Sequence, residues 1–314
     1  MKPLPRIQLS LSVTPEKEEK PRPGKFTYNG KDFAFSDKDL TDKKQIGQGA
    51  FGVVYSSIFI PLGVKIAVKS VGIHREDETN NILKEAHIMQ KFNHPNLVTC
   101  YGYFRTLDQR KIKIALEYMD VGNLERLIAY KGHIPEEYTS FITRQILSGL
   151  ECLHKKRCYH RDIKPPNILI NSRGDVKIGD FGHLKQLEKT NETTSTGAGT
   201  FRYFSLERLQ GQRYISNSDV WALGLVVLEC VLGQFPMPIT PKTVYGDLIV
   251  IVEKFDAKAY QDHVSPELRK FLSLCLTHNV TQRASADILL QTEFIRKHIG
   301  ISSKDFMAWL NIKE

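Results

Sequence analysis

Five side chains that hydrogen-bond or carry charge, His160, Arg161, Asp162, Lys164 and Asn167, fall within the eight positions of "HRDIKPPN". The apolar run Ile168, Leu169, Ile170 follows at once, so the stretch makes poor core and a rich loop. Either the surface is simply polar there, or several of these groups converge on one ligand. Further on, "VKIGD" carries Asp180. The runs "ILI" and "VKI" flank "NSRGD", which reads as a tight turn centred on Gly174. That hairpin places Asn167 and Asp180 at strand ends facing one side. Two oxygen-bearing side chains there suit a hard cation such as Mg²⁺, which takes few protein ligands and completes its shell with phosphate oxygens. Taken singly, each residue reads as a turn or capping residue.

Upstream lies Gly47-Gln-Gly49-Ala-Phe-Gly52-Val-Val54. Glycines let a backbone approach phosphate closely, although a hairpin turn accounts for the same pattern. A dinucleotide site requires a helix opening on the glycines and an acidic residue about 20 positions later. Here a strand follows instead, and then Lys69 within "IAVKS" on the next strand. Its ammonium points either into a cleft toward phosphate or to solvent. Glu85 shares a helix face with Ile82 and Met89, and a partly buried carboxylate there wants a cation, for which Lys69 is the natural candidate.

These residues must be held by elements whose order is legible. Residues 1 to about 25, with "SVTPEKEEKPRPGK", read as a flexible tail. From about 40, "KKQIGQGAFGVVYSSIF", "KIAVKSVGI", "NLVTCYGYF" and "KIKIALEYM" read as strands, with one helix in "ETNNILKEAHIMQKF". After Gly122 the chain turns helical, in "TSFITRQILSGLECLHKK", "SNSDVWALGLVVLECVLG", "SPELRKFLSLCL" and "SADILLQTEFI". Strands first and helices after imply an α+β fold of two lobes with a cleft between them.

The 314 residues, 41% hydrophobic and 25% charged, suffice for one large or two smaller domains. A formal charge of +9 favours acidic partners such as nucleotide phosphates or an acidic protein surface. The chain lacks the clustered basic and aromatic arrays of a nucleic-acid reader, so no nucleic-acid partner is expected. Five scattered cysteines without a C-x-x-C pair argue for reduced thiols, and no apolar run is long enough to span a membrane. A cytoplasmic location follows as the expectation.

In order, the glycine loop, "AVK", the helix glutamate, "HRDIKPPN", "DFG", "SDVWALG" and the arginine of "TQRAS" resemble the eukaryotic protein kinase family. The match runs from about 40 to 298, which divides into an N-lobe (40–119), a small antiparallel sheet with one main helix, and a larger, mainly helical C-lobe (120–298). The resemblance implies ATP and Mg as cofactors. It implies that Gly47, Gly49 and Gly52 cover the phosphates, that Lys69 contacts them with Glu85 holding it, and that Asp180 and Asn167 bind metal. Asp162 would act on the substrate hydroxyl and Lys164 would steady the γ-phosphate, as in Ser/Thr-type enzymes. Ile46, Val54, Ala67 and Leu169 would sandwich the adenine, Glu117 to Met119 would supply hinge backbone, and Leu116 would be the gatekeeper.

Within that family, "GTFRYFSLERLQG" is similar to the mitogen-activated protein kinase kinases, which implies phosphorylation of Thr and Tyr in a mitogen-activated protein kinase. Lys2 and Arg6 before the alternating Ile7, Leu9 and Leu11 resemble a docking motif for that substrate. Asp305, Phe306, Trp309 and Leu310 in the segment 299–314 resemble a docking segment for an upstream kinase. Arg161 would await a phosphate on the activation loop, with Thr196 and Thr190 as the expected phosphosites. Two departures stand out: Leu206 replaces the usual proline before Glu207, and His183-Leu184-Lys185 follow "DFG". An upstream-tier Ser/Thr kinase and a nucleotide-binding scaffold remain the alternatives.

Overall fold

The computed structural model describes residues 24–49, 52–73, 76–108, 110–180, 185–186, 201–212 and 216–311. The N-lobe is a seven-stranded antiparallel sheet in the order β2-β1-β6-β7-β5-β4-β3. Its strands are β1 (Gly24–Tyr28), β2 (Lys31–Phe35), β3 (Leu40–Gly49), β4 (Gly52–Phe59), β5 (Val64–Gly72), β6 (Cys100–Arg105) and β7 (Lys111–Glu117). The domain is expected from residue 40, yet the sheet begins at Gly24. The β1–β2 hairpin turns at Asn29-Gly30, both at positive φ (47° and 74°), and adds two strands through pairing of β1 with β6. That turn matches the right-handed twist of its flanking strands.

Opposite residues of an antiparallel pair share a face. Val54 pairs with Lys69 and Ala67 with Leu116, so all four point to the side where α1 (Glu76–Gln90) packs. The other face closes over a separate aromatic core of Phe26, Phe35, Phe59 and Phe104, with Phe26 stacked on Phe59 at 4.0 Å.

The C-lobe begins with β8 (Gly122–Asn123) and α2 (Leu124–Lys131), followed by α3 (Glu136–Lys155). Short strands come next: β9 (Cys158–Tyr159), β10 (Ile168–Ile170), β11 (Val176–Ile178) and β12 (Lys185–Gln186). The remaining helices are α4 (Leu206–Leu209), α5 (Ser216–Leu232), α6 (Tyr245–Glu253), α7 (Pro266–Cys275), α8 (Ala286–Leu289), α9 (Glu293–Lys297) and α10 (Ser303–Leu310). In α5, Ser218 to Leu228 are buried without interruption, as expected of a helix that is apolar all round and serves as the lobe's axis. α3 carries acidic residues in its first turn and basic ones in its last, which suits the helix dipole, and it packs on α5 and β11. The stretch "SADILLQTEFI" reads as one helix but forms two short ones, α8 and α9, because Thr292 starts the second.

α10 is set by a reciprocal Ser302–Asp305 capping box, and Phe306 and Leu310 are fully buried against the C-lobe. Trp309, half-buried, stacks on Tyr138 at 4.6 Å. Among the described residues, no helix is long and apolar enough to cross a membrane.

Candidate active site

The β10–β11 hairpin does what its sequence suggests. Gly174 takes φ 79° in the turn, Ile168 pairs with Ile178, and the Gly179 amide donates to the Asn167 carbonyl at 2.8 Å. Asn167 and Asp180 are thereby brought to one end of the hairpin. Asp180 itself adopts φ 52°, a left-handed backbone that non-glycine residues hold only where the surroundings impose it.

Asp162 is 5% exposed and gathers two neighbouring side chains. Lys164 Nζ lies 2.9 Å from Asp162 Oδ2. Asn167 Nδ2 donates to both Asp162 Oδ2 and the Asp162 carbonyl, each at 2.8 Å. With the amide nitrogen so used, Asn167 Oδ1 is the atom it offers to a cation. The loop carrying Asp162 hangs on Asp219 of α5, whose carboxylate accepts from the amides of His160 (3.0 Å) and Arg161 (2.9 Å) and meets His154 Nε2 at 2.9 Å. His160 Nδ1 accepts from the Asp162 amide, so its Nε2 carries the proton and donates to the Gly179 carbonyl at 2.9 Å. One imidazole thus ties the Asp162 loop to the residue before Asp180.

From the N-lobe, Lys69 Nζ reaches Asp180 Oδ1 at 2.5 Å, across 111 residues of sequence. Glu85 lies half-buried on α1, the helix beside β6 and β7. Ala67, Leu116 and Met119 are buried in the main core, and Ile46, Val54 and Leu169 pack against it half-buried. The Glu117 side chain is occupied within the fold. It accepts from Lys177 Nζ of β11 at 2.8 Å through both oxygens, and its amide donates to the Thr99 carbonyl. The side chain therefore clamps the hinge to the C-lobe, and only the carbonyl of its backbone is left for a ligand.

The glycine strand pair closes with Gly49 opposite Gly52. Gly52 has φ 132°, and a Cβ there would lie 2.1 Å from the Ser70 carbonyl, so the fold itself demands glycine. Among the described residues, a Cβ at Gly49 would meet nothing within 4 Å, and at Gly47 only Val54 at 3.9 Å. Those two glycines leave open space that the chain's own packing does not require.

A nucleotide with a divalent cation fits this donor set. Among the described residues, no cluster of three or more His, Cys, Asp or Glu could hold a metal alone. Two oxygen donors, an ammonium and an apolar slot match an ion that shares its shell with phosphates.

Arg161 takes φ 68° beside Asp162, and its carbonyl accepts from Arg208 Nη1 at 2.5 Å. The latter tie, and those of His154 and Lys177, carry no motif that marks them in the sequence. Glu207 and Arg283 form the expected buried pair at 2.7 Å, with Ser218 Oγ donating to the same carboxylate. Lys2, Arg6, Ile7, Leu9, Leu11, Phe181, His183, Leu184, Thr190 and Thr196 lie outside the described residues.

The family model of the protein kinase domain matches residues 40–295. Mitogen-activated protein kinase kinase 2 of Arabidopsis thaliana is 39% identical over 267 residues, covering 83% of this chain and 73% of that protein. Mitogen-activated protein kinase kinase 1c of Physcomitrium patens is 37% identical over 269 residues, with 83% and 77% covered. The dual specificity mitogen-activated protein kinase kinase dSOR1 of Drosophila melanogaster is 32% identical over 301 residues, with 88% and 75% covered. With the bilobal fold and one cleft uniting Lys69, Asp162, Asn167 and Asp180, the chain belongs to the protein kinases, in the mitogen-activated protein kinase kinase family.

Proposed function

We propose that the protein transfers the terminal phosphoryl group of ATP to Thr and Tyr of a mitogen-activated protein kinase. The observation that supports this most is the short contact of Lys69 with Asp180 beside the Asp162–Lys164–Asn167 cluster. Bound Mg²⁺ and ATP would supply charge neutralisation and the phosphoryl group. The chain's own residues do the rest. Lys69 would hold phosphate oxygens, Glu85 would keep Lys69 in place, and Asp180 and Asn167 Oδ1 would hold the cation. Gly47 and Gly49 leave room over the phosphates, and Gly52 shapes the turn.

Asp162 accepts the substrate hydroxyl proton as that oxygen bonds to phosphorus and the bond to the ADP oxygen breaks. Lys164, 2.9 Å from Asp162, is placed to offset negative charge on the moving group. Ile46, Val54, Ala67, Leu116 and Leu169 take the adenine, with the Glu117 carbonyl and Met119 as hinge contacts.

Phosphorylation of Thr196, with Thr190, would supply an anion for Arg161 and switch the enzyme on. Lys2, Arg6, Ile7, Leu9 and Leu11 would grip the substrate kinase. Phe306 and Trp309 would meet an upstream kinase, though Phe306 is committed to the core and leaves Trp309 as the reachable side chain. The described cysteines are free, in keeping with a cytoplasmic location, and burial pushes the Cys100 thiol up to about 12.

Purified mitogen-activated protein kinases mixed with the protein and radiolabelled ATP test the reading. Label on both threonine and tyrosine supports it, whereas label on serine or threonine alone favours an upstream-tier kinase.

A further inference from the structure

The segment Phe201–Gln210 lies between the Asp162 loop and α6, and little within it fixes its shape. α4 has four residues, too few to persist by helix propensity. Ser205 precedes it at φ −72°, ψ 160°, the extended conformation that a residue before proline adopts. Leu206 occupies the first helical position, where proline is favoured. Leucine restrains neither residue, so the conformation must be imposed from outside.

Besides the Tyr203 hydroxyl, which donates to Glu229 at 2.7 Å, three ties impose it. Arg283 Nη1 and Nη2 donate to Glu207 at 2.7 and 3.2 Å. Arg208 Nη1 donates to the Arg161 carbonyl, while the guanidinium lies 3.2 Å above the Phe204 ring. At the far end, the Tyr245 hydroxyl, from the first residue of α6, donates to the Leu209 carbonyl. Terminal helix carbonyls lack intrahelical partners, so this bond satisfies a group that α4 leaves open. The Tyr245 ring meets Phe201 edge-on at 5.8 Å, and Phe201 meets Phe204 edge-on at 5.1 Å. Tyr245 remains 49% exposed, so core burial does not explain its place.

We propose that Tyr245 is a positioning residue for the protein substrate. It holds Phe201–Leu209 in register with an incoming chain, in place of the restraint a proline at 206 would give. The inference rests on the reading of the protein as a kinase acting on a folded protein.

The test uses the full chain. Tyr245→Phe removes only the hydroxyl, and one hydrogen bond of this kind predicts a three- to tenfold rise in KM for the protein substrate. The KM for ATP and kcat are expected to change less than about twofold, because the lost bond lies outside the nucleotide cleft. Adding Leu206→Pro to Tyr245→Phe should bring the substrate KM back to within about twofold of wild type, since proline restrains the unbound segment covalently. Amide hydrogen exchange of residues 202–210 in the free protein should quicken in Tyr245→Phe and return in the double variant. That readout needs no substrate, so wild-type inactivity on mitogen-activated protein kinases would strike the proposed function and leave this inference standing. Unchanged KM and exchange in Tyr245→Phe, equal loss in KM for ATP, or failure of Leu206→Pro to restore either property would overturn it.

Discussion

Asn167 donates twice to Asp162, and that geometry separates two jobs that the motif "HRDIKPPN" leaves merged. The nitrogen orients the base, and the oxygen is left for metal. Asp162→Ala is expected to lower turnover by about 10²- to 10⁴-fold, the usual contribution of a positioned base. Nucleotide affinity, measured by calorimetry, should stay close to wild type. Normal turnover would remove Asp162 from its role.

Glu207 offers a pH prediction at the same scale. Burial alone would raise its carboxyl, but the hydrogen bonds and charge of Arg283 outweigh burial and hold it below the ordinary value of 4.5. A depressed carboxyl stabilises the fold above its unfolded pKa and loses that contribution as pH falls through the folded value. Arg283→Met strands the buried carboxylate and should cost about 3–5 kcal/mol near neutrality. Burial then outweighs the remaining hydrogen bonds, among them that from Ser218 Oγ, and raises the carboxyl, so the deficit should shrink as pH drops toward 5. A deficit in chemical denaturation that is constant with pH would contradict this account. Residue types at the site were legible in the sequence. The contacts of His154, Lys177 and Arg208 were not, because they depend on which distant backbone each long side chain reaches.

The elements were read unevenly, for physical reasons. The β10–β11 hairpin was legible because two β-branched runs flank a turn at Gly174. The β1–β2 hairpin is less legible, although Asn29-Gly30 between alternating Phe26, Tyr28, Phe33 and Phe35 is a strong hairpin signal, because the polar stretch before it blurs the boundary. Nothing local in "GKFTY" says that it pairs with β6, some 75 residues on, because that choice is made by the shared aromatic core. α10 was expected as a docking segment, and its packing refines that expectation. Phe306→Ala should cost about 3–5 kcal/mol of stability, as for other buried aromatics. Trp309→Ala should cost less and should impair phosphorylation by an upstream kinase if the segment docks one. Thermal denaturation alongside an activation assay separates the two effects. A Trp309→Ala protein activated as fast as wild type would leave α10 a packing element only.

At the scale of the molecule, the two lobes meet at named ties: Lys69 to Asp180 and Lys177 to Glu117. The two-lobed plan is legible because strands precede helices along the chain, whereas the reach of Lys69 to Asp180 depends on how the lobes pack and is not written in either segment alone. With +9 net charge and basic Lys2 and Arg6 before Ile7, Leu9 and Leu11, the first dozen residues suit an acidic, grooved partner. Removing residues 1–12 should raise KM for the substrate kinase about tenfold or more and leave a generic peptide substrate unaffected, since a tethered docking contact acts through effective concentration. Equal KM values with and without the segment would remove it from substrate docking.

The most direct test of the central claim is phosphoamino-acid analysis of a catalytically dead mitogen-activated protein kinase after incubation with this protein, and with its Asp162→Ala variant, in Mg²⁺-ATP. Phosphothreonine and phosphotyrosine with wild type, and neither with Asp162→Ala, is the expected result; equal labelling by both proteins would contradict it.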